Sequence, residues 1–384
     1  MSYLSWVIVW RRKDLKRYAL RLLRQMLEIY SPSGSEAPLA TFLSREMAAN
    51  GFATRLDHAG NVLARIGQAG PRILLCGHLD TVPGETPVRV KGGAIYGRGA
   101  VDAKSSLGAM IIGSALGSRL STSPVQVDVA GVVEEERTGA GINALATNQD
   151  QYALAVFGEP SGVSNITIGY KGSLKLRIMC RTAGGHSSSP WLSSNSIEEG
   201  IEFWKTIKRL ILTEEDSSSR FSAVTGSLTS IRAGNHSNTI PSECAMEVDI
   251  RIPPGTSPLE IGDRIEKLAQ SRWQRKDVVI QTAVTSQTRP HLEDAGSLGV
   301  RVFRSAIRNA LGSDVALVKK TGTSDMNSLA QTHKIPMIAY GPGDSSLDHT
   351  DDEHVSFDEY LASIEVYSRA VQRFATIMQR TQNN

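Results

Sequence analysis

Titratable side chains stand at, or soon after, the ends of four apolar runs in this 384-residue chain. They are His78 with Asp80, Glu134 to Glu136, Glu159, and His349. Imidazoles and carboxylates gathered in one place serve either as acid–base groups or as metal ligands. Three or more carboxylates packed together repel one another unless cations neutralise them. Two divalent ions would balance such a cluster, and mixed nitrogen and oxygen ligands suit zinc, with cobalt or manganese as substitutes.

The elements that must position these side chains are short apolar strands alternating with helices. Helical spacing is found from about Leu15, Ser35 and Ser105, and the last helix opens with the capping-box pattern of Ser356 to Glu359. This alternation predicts a mostly parallel sheet covered on both faces. In such sheets ligands bind outside the carboxyl ends of the strands, so the titratable side chains are expected to meet at one edge.

The middle of the chain has a different pattern. From about residue 171 to 284 the order of elements reads β-α-β-β-α-β, which is typical of a ferredoxin-like unit. We therefore predict a discontinuous α/β domain made of residues 1–170 and 285–384, with residues 171–284 inserted as an α+β domain.

Bulk properties exclude several classes of function. The net charge is +3 without a dense basic stripe, which argues against nucleic-acid binding. The three cysteines are widely spaced and form no C-x-x-C motif, which favours a reducing cytoplasm over a disulfide framework. The apolar run from Tyr3 to Trp10 is far shorter than the roughly 20 residues that span a bilayer. We interpret it as an N-terminal strand or a misassigned start codon, and expect neither a signal peptide nor a membrane partner.

Nine short motifs, in this order along nearly the whole chain, give a resemblance to a known family. They are Gly77-His78-Leu79-Asp80, Gly99-Ala100-Val101-Asp102-Ala103-Lys104, Glu134-Glu135-Glu136, Gly158-Glu159-Pro160, Gly185-His186-Ser187, Asn238-Thr239-Ile240-Pro241, Asp249-Ile250-Arg251, Gly322-Thr323-Ser324-Asp325 and His349. The chain resembles the co-catalytic metallo-amidohydrolases, which include acetylornithine deacetylase, succinyl-diaminopimelate desuccinylase, aminoacylase and glutamate carboxypeptidase. The resemblance implies a zinc-peptidase-like α/β/α catalytic domain interrupted by a ferredoxin-like dimerisation domain, and hence a homodimer.

The resemblance also implies a role for each matching residue. Asp102 would bridge two metal ions, with His78 and Glu159 completing one site and Glu136 and His349 the other. Glu135 would be the general base. Asp80 is expected to hold the imidazole of His78 and to assist catalysis. His186 would reach the active site of the partner subunit and stabilise the oxyanion. The expected substrate-binding residues are Asn238, Arg251, Lys171 and Ser324, with Arg251 gripping a carboxylate.

The sequence departs from the family pattern at two places. Glu134 stands where the family usually has aspartate, which leaves the register of the three glutamates open by one residue. The usual Asp-x-Lys-Gly-Gly reads Asp102-Ala103-Lys104-Ser105-Ser106, and we expect little consequence because serine can still begin a helix.

The branch of the family is a further expectation. The stretches Gly169–Ser173 and Gly341–His349 most resemble enzymes that release lysine or ornithine from an acidic amino-group carrier protein, where the amino acid is linked to the γ-carboxyl of a C-terminal glutamate. Lys171, Lys319 and Lys320 are expected to face that carrier. Deacetylation of acetylornithine or acetyl-lysine, desuccinylation, and general dipeptidase or carboxypeptidase activity remain alternatives. A non-catalytic metal-binding scaffold is the alternative from another class.

Overall fold

The computed structural model describes residues 12–67, 69–148, 150–212, 219–234, 236–273 and 277–382. The apolar run from Tyr3 to Trp10 lies outside these ranges. The described helices are α1 (Arg12–Glu28), α2 (Ala37–Ala49), α3 (Lys104–Leu120), α4 (Ala140–Ala146), α5 (Ser196–Leu210), α6 (Pro258–Arg272), α7 (Leu298–Leu311), α8 (Asp325–Thr332) and α9 (Phe357–Gln382). Within the same ranges, no helix combines the length and apolarity needed to cross a lipid bilayer.

The described strands comprise eighteen segments. They are β1 (Ala53–Leu56), β2 (Val62–Gly67), β3 (Arg72–His78), β4 (Arg89–Lys91), β5 (Ala94–Tyr96), β6 (Gln126–Val132), β7 (Leu154–Phe157), β8 (Asn165–Tyr170), β9 (Gly172–Thr182), β10 (Gly185–His186), β11 (Thr225–Ala233), β12 (Thr239–Ile240), β13 (Glu243–Ile252), β14 (Val278–Thr288), β15 (His291–Leu292), β16 (Ala316–Lys320), β17 (Met337–Ala339) and β18 (His354–Ser356).

The chain divides into two compact units. The larger unit contains the described residues within Met1–Ile168, Glu293–Val318 and Ser328–Asn384. The smaller unit contains Gly169–Leu292 and Lys319–Asn327. The smaller unit therefore extends beyond the expected insertion of residues 171–284 and takes in a second, separate segment.

The sheet of the larger unit has a parallel centre. Its strand order is β1-β2-β6-β3-β7-β17-β8. The neighbours β6, β3, β7 and β17 run parallel, whereas β1, β2 and β8 are antiparallel to their neighbours. This arrangement confirms the mostly parallel sheet that the alternating pattern predicts.

The parallel register brings strand ends to the same edge. His78 is paired with Val132, and Phe157 lies opposite both Cys76 and Ala339. Since β3, β6, β7 and β17 all finish at this level, the loops that follow them leave the sheet side by side.

Helix α3 is buried on nearly all sides against the sheet and α9. Two glycines allow α9 to approach it closely. A Cβ atom on Gly113 would lie 2.5 Å from Cβ of Tyr367, and one on Gly117 would lie 2.6 Å from the main-chain oxygen of Ser368. The glycines thus give α3 a flat side on which α9 packs, and they fix the helix that begins two residues after Asp102.

The smaller unit is built on an antiparallel sheet of order β11-β13-β9-β14. The expected β-α-β-β-α-β order is present as β9, α5, β11, β13, α6 and β14. In β13, buried and partly exposed side chains alternate, so one face of the sheet forms the core with α5 and α6. Asp249 and Arg251 lie on the other face.

Candidate metal centre

Two groups of potential metal ligands share one carboxylate in the larger unit. The first consists of His78, Asp102 and Glu159, and the second of Asp102, Glu136 and His349. Within each group the candidate ligand atoms lie within 4.8 Å of one another. His78 Nε2 is 3.1 Å from Asp102 Oδ1, and His349 Nε2 is 3.1 Å from Asp102 Oδ2. Asp102 therefore turns one oxygen toward each group.

The charges of the side chains support cation binding. Burial alone would lower the pKa of His78, but its contacts with Asp102 and Asp80 outweigh burial and raise that pKa well above 6.5. Hydrogen bonds to Asp102 and Glu136 raise the pKa of His349 to about 10. The carboxylates thus hold protons on both imidazoles, in the place where metal ions would supply positive charge. Two imidazoles and three carboxylates are a donor set that fits zinc, cobalt or manganese.

The other ring nitrogen of His78 is fixed by the backbone. Its Nδ1 donates to the main-chain oxygen of Asp80 at 2.9 Å, while the Asp80 carboxylate is farther away, with Oδ1 at 3.5 Å. A carbonyl oxygen only accepts, so Nδ1 carries a proton and Nε2 is the nitrogen available to a metal ion. The expected support of this imidazole by Asp80 comes chiefly from its main chain.

The buried carboxylate of Asp80 instead positions the glutamate loop. Its Oδ1 accepts the N–H of Glu135 and its Oδ2 accepts the N–H of Glu136, both at 3.1 Å. Ser33 Oγ donates to Oδ2 as well, at 2.7 Å. Glu36 Oε1 accepts the N–H of Glu134 at 3.0 Å. Three successive backbone donors are therefore held by two carboxylates.

This loop gives the side chains of Glu134 and Glu136 different places. Glu134 adopts a left-handed backbone conformation, with φ of 57°, and its Oε2 accepts a hydrogen bond from Thr138 Oγ1. Glu136 Oε1 lies 2.7 Å from His349 Nε2. The side chain of Glu136, and not that of Glu134, thus belongs to the ligand cluster, as the register adopted above has it.

Several residues of the site are absent from the expectations above. Ser33 and Glu36 hold the glutamate loop, and Glu353 accepts the N–H groups of Val101 and Asp102 at 2.9 and 3.1 Å. The peptide bond between Asp102 and Ala103 is cis. Glu353 stands four residues after His349, which is the only sequence signal that points to it.

In the smaller unit, His186 and Asn238 lie together at the two-stranded sheet of β10 and β12, with Asn238 directly before β12. His186 pairs with Thr239, and Ser187 N–H donates to the main-chain oxygen of Asn238 at 3.1 Å. The N–H of Ser188 donates to His186 Nδ1 at 3.1 Å. Because a backbone N–H only donates, a neutral His186 carries its proton on Nε2. That exposed imidazole edge is a hydrogen-bond donor, which is what stabilising an oxyanion requires.

Arg251 is held within the smaller unit by two partners. Its Nη2 donates to Asp249 Oδ2 at 2.9 Å, and its Nη1 donates to Thr323 Oγ1 at 3.2 Å. A guanidinium has five N–H groups, so donors remain for a carboxylate. The structure thus brings together two motifs that are about seventy residues apart in the sequence, since Arg251 and Thr323 differ by 72 positions.

Lys171 and Ser324 are both buried. Lys171 is 0% exposed, and its Nζ donates to the main-chain oxygen of Arg220 and to Thr225 Oγ1. The expectation that Lys171 presents its charge to a carrier surface is therefore wrong, because that charge is used inside the unit. Ser324 Oγ accepts the N–H of Met326 at 3.3 Å, in the first turn of α8. Lys319, in contrast, is exposed.

Comparison with known proteins agrees with this geometry. Residues 74–373 match the model of peptidase family M20/M25/M40. A Pyrococcus abyssi protein named as a hydrolase of LysW-lysine and LysW-ornithine is 36% identical over 92% of this chain and 93% of its own. A Deinococcus radiodurans protein named LysW-lysine hydrolase is 31% identical over 92% of this chain and 96% of its own.

Solved structures share the fold. A tripeptidase from Staphylococcus aureus superposes with a TM-score of 0.79 at 19% identity, over 94% of this chain and 99% of its own. A dinuclear metal-binding M20 peptidase from Bacillus subtilis gives a TM-score of 0.75 at 13% identity, over 96% of this chain and 99% of its own. At these identities the likeness concerns the fold alone.

Proposed function

The chain belongs to peptidase family M20/M25/M40 and is a metal-dependent amide hydrolase, and from this premise we propose that it releases lysine or ornithine from an amino-group carrier protein. The bond cleaved is the amide between the amino acid and the γ-carboxyl of the carrier's C-terminal glutamate. The observation that carries the proposal is the similarity, across 92% of the chain, to a protein named for LysW-linked lysine and ornithine. The reaction would take place in the cytoplasm, as a step of lysine or arginine biosynthesis.

The ligand side chains of the larger unit would hold two divalent metal ions, and their mixed nitrogen and oxygen donors favour zinc. Asp102 would serve both ions, His78 and Glu159 one of them, and Glu136 and His349 the other. When bound, such ions polarise the scissile carbonyl and lower the pKa of the attacking water.

The residues of the chain itself would move the proton. Asp80 anchors the backbone of Glu135 through Oδ1, and the adjacent Glu136 is anchored in the same way. Glu135 is thereby attached to a loop that cannot shift without breaking hydrogen bonds to a buried carboxylate. In our proposal its side chain takes the proton from the attacking water and delivers it to the leaving amino group.

Three residues of the smaller unit are proposed to bind the substrate. Arg251, oriented by Asp249 and Thr323, would bind the carboxylate of the amino acid. His186, with Nε2 as its free donor edge, would stabilise the oxyanion from the partner subunit of a homodimer. Asn238 lies near His186, directly before the strand β12 that pairs with β10, and would contact the same part of the substrate.

A substrate panel tests the proposal. We expect the wild-type enzyme to cleave carrier-linked lysine, carrier-linked ornithine or both, with a kcat/KM far above that for N-acetylornithine, N-acetyl-lysine and simple dipeptides. Activity should be lost on treatment with EDTA and restored by zinc or cobalt. Equal or better turnover of N-acetylornithine would replace the carrier reaction with deacetylation. Absence of activity on every amide, with zinc bound, would favour a non-catalytic metal-binding protein.

A further inference from the structure

We infer that Arg98 and Glu353 are positioning residues of the metal centre, because together they connect the segment that carries Asp102 to the segment that carries His349. The inference rests on the two-metal site of the proposed function.

Glu353 binds the backbone of the segment that carries Asp102. Its side chain is only 1% exposed. Oε1 accepts the N–H of Val101 at 2.9 Å and the N–H of Asp102 at 3.1 Å. These two bonds fix the main chain at the residue whose two carboxylate oxygens face the two ligand groups. Any shift of Glu353 would move Asp102 relative to its partners.

Arg98 continues the connection to the segment that carries His349. It is 7% exposed, and its Nη1 donates both to Glu353 Oε2 at 3.2 Å and to the main-chain oxygen of Thr350 at 3.0 Å. Its Nε donates to the main-chain oxygen of Gly84 at 3.1 Å. One planar side chain thus binds Glu353 and the residue next to His349, a geometry that a lysine cannot reproduce.

The backbone at His349 shows why such an anchor matters. His349 has a φ of 63°, in the left-handed region that non-glycine residues rarely adopt. A conformation of this kind persists only where the surroundings hold it. The bond from Arg98 to Thr350 is one restraint, and the bond from Thr350 N–H to the main-chain oxygen of Leu347 is another. Loss of the first restraint should let the imidazole of His349 leave its ligand position.

Conservative substitutions separate this role from a purely structural one. In Glu353→Gln the amide oxygen can take the place of Oε1 or of Oε2, so the amide nitrogen opposes either Arg98 or the two backbone donors. In Arg98→Lys the charge remains, but the contacts with Glu353, Thr350 and Gly84 cannot all be kept. The matched controls are Asp352→Asn and Arg89→Lys. They alter an exposed ion pair in which Arg89 Nη2 lies 3.2 Å from Oδ1 of Asp352, the residue that precedes Glu353.

The experiment measures zinc binding by the full-length chain, using competition with a chromophoric chelator, zinc counting by mass spectrometry, and the melting temperature of the metal-free protein. The wild type should bind two zinc ions. Arg98→Lys should weaken the more labile zinc about 10–100-fold, since the segment carrying His349 is loosened, and Glu353→Gln should weaken both, since Asp102 serves both. The two control variants should match the wild type.

Three results would overturn the inference. In the first, both variants keep wild-type zinc affinity while the melting temperature of the metal-free protein falls, so that the pair is structural only. In the second, both variants match the wild type in every readout. In the third, the wild-type chain binds no zinc, which would refute the metal centre of the proposed function and the inference with it. Failure of the proposed function is therefore seen in the wild type, whereas failure of the inference alone is seen only in the variants.

Discussion

At the scale of residues, the charged side chains near the metal centre have two different roles. His78, His349 and Asp102 belong to the groups of potential metal ligands. The buried carboxylate of Asp80, in contrast, accepts hydrogen bonds from the N–H groups of Glu135 and Glu136. The sequence predicts the first role well, because His78 ends a strand and because Asp102 and His349 stand in motifs that match the resembled family. It predicts the second role poorly. A carboxylate that accepts backbone N–H groups places no requirement on the residue types of its partners, so the sequence carries no signal for the contact.

The catalytic prediction belongs to Glu135. Glu135→Gln keeps the size of the side chain but removes the base, so we expect two bound zinc ions and a fall in kcat greater than the roughly 10²–10⁴-fold typical of acid–base catalysis alone. Steady-state kinetics on carrier-linked lysine and zinc counting on the same sample would measure both quantities.

Glu134→Gln is the matched control, because it changes a neighbouring side chain whose Oε2 is bonded to Thr138. It should retain most of the activity. If Glu134→Gln abolished turnover and Glu135→Gln did not, the roles assigned to the two residues would be exchanged.

At the scale of elements, strands and helices follow from short-range patterns. The N-cap half of the capping box at the start of α9 is confirmed, since Ser356 Oγ accepts the N–H of Glu359 at 3.1 Å. The parallel pairing of β6, β3, β7 and β17 confirms the mostly parallel sheet, which was predictable because short apolar runs alternate with helical periods. The link between Arg98 and Glu353 spans 255 positions. No local pattern in one sequence identifies such a pair. The partnership of Arg251 with Thr323, which are 72 positions apart, is equally invisible to local patterns.

A stability prediction belongs to the strands β2, β3 and β6. Asp128 on β6 accepts Arg65 Nε at 2.6 Å and Arg72 Nη2 at 2.7 Å. Burial alone would raise the pKa of Asp128, but these bonds outweigh it and hold the pKa below 3.8. The stabilisation is therefore present above pH 3.8 and is lost as the pH falls through the lowered pKa.

Asp128→Asn should lower the free energy of unfolding at neutral pH by about 3 kcal/mol, because it leaves two arginines without their shared carboxylate. Urea denaturation at neutral and acid pH measures the effect, and the gap between variant and wild type should narrow in acid. Glu365→Gln, which removes an exposed pair with Arg369, should cost less than about 1 kcal/mol. A gap that is independent of pH would contradict the assignment.

At the scale of the whole molecule, the proposed homodimer makes a distinct prediction. If His186 acts on the partner's metal centre, mixing inactive His186→Ala chains with inactive Glu135→Gln chains should restore activity. Each mixed dimer would have one site with both groups intact and one with neither, so a fully mixed population should approach about a quarter of wild-type turnover.

Native mass spectrometry would verify the exchange of subunits, and rates would be compared before and after mixing. Mixing Glu135→Gln with Asp102→Asn chains is the control, because Glu135 and Asp102 both belong to the metal centre of their own chain. Each site of a mixed dimer would then still lack one of the two groups. Absence of recovery after proven exchange would mean that His186 serves its own subunit.

The second segment of the smaller unit matters for anyone who designs chimeras between relatives. Lys319–Asn327 is separated in the sequence from Gly169–Leu292, yet it belongs to the same compact body. Asn327 donates to the main-chain oxygens of Lys171 and Arg289, and Thr323 accepts from Arg251. A chimera that exchanges only the continuous segment Gly169–Leu292 would take Arg251 from one enzyme and its partner at position 323 from the other. Transplanting the specificity of one enzyme into another would therefore require two cassettes, cut at four junctions.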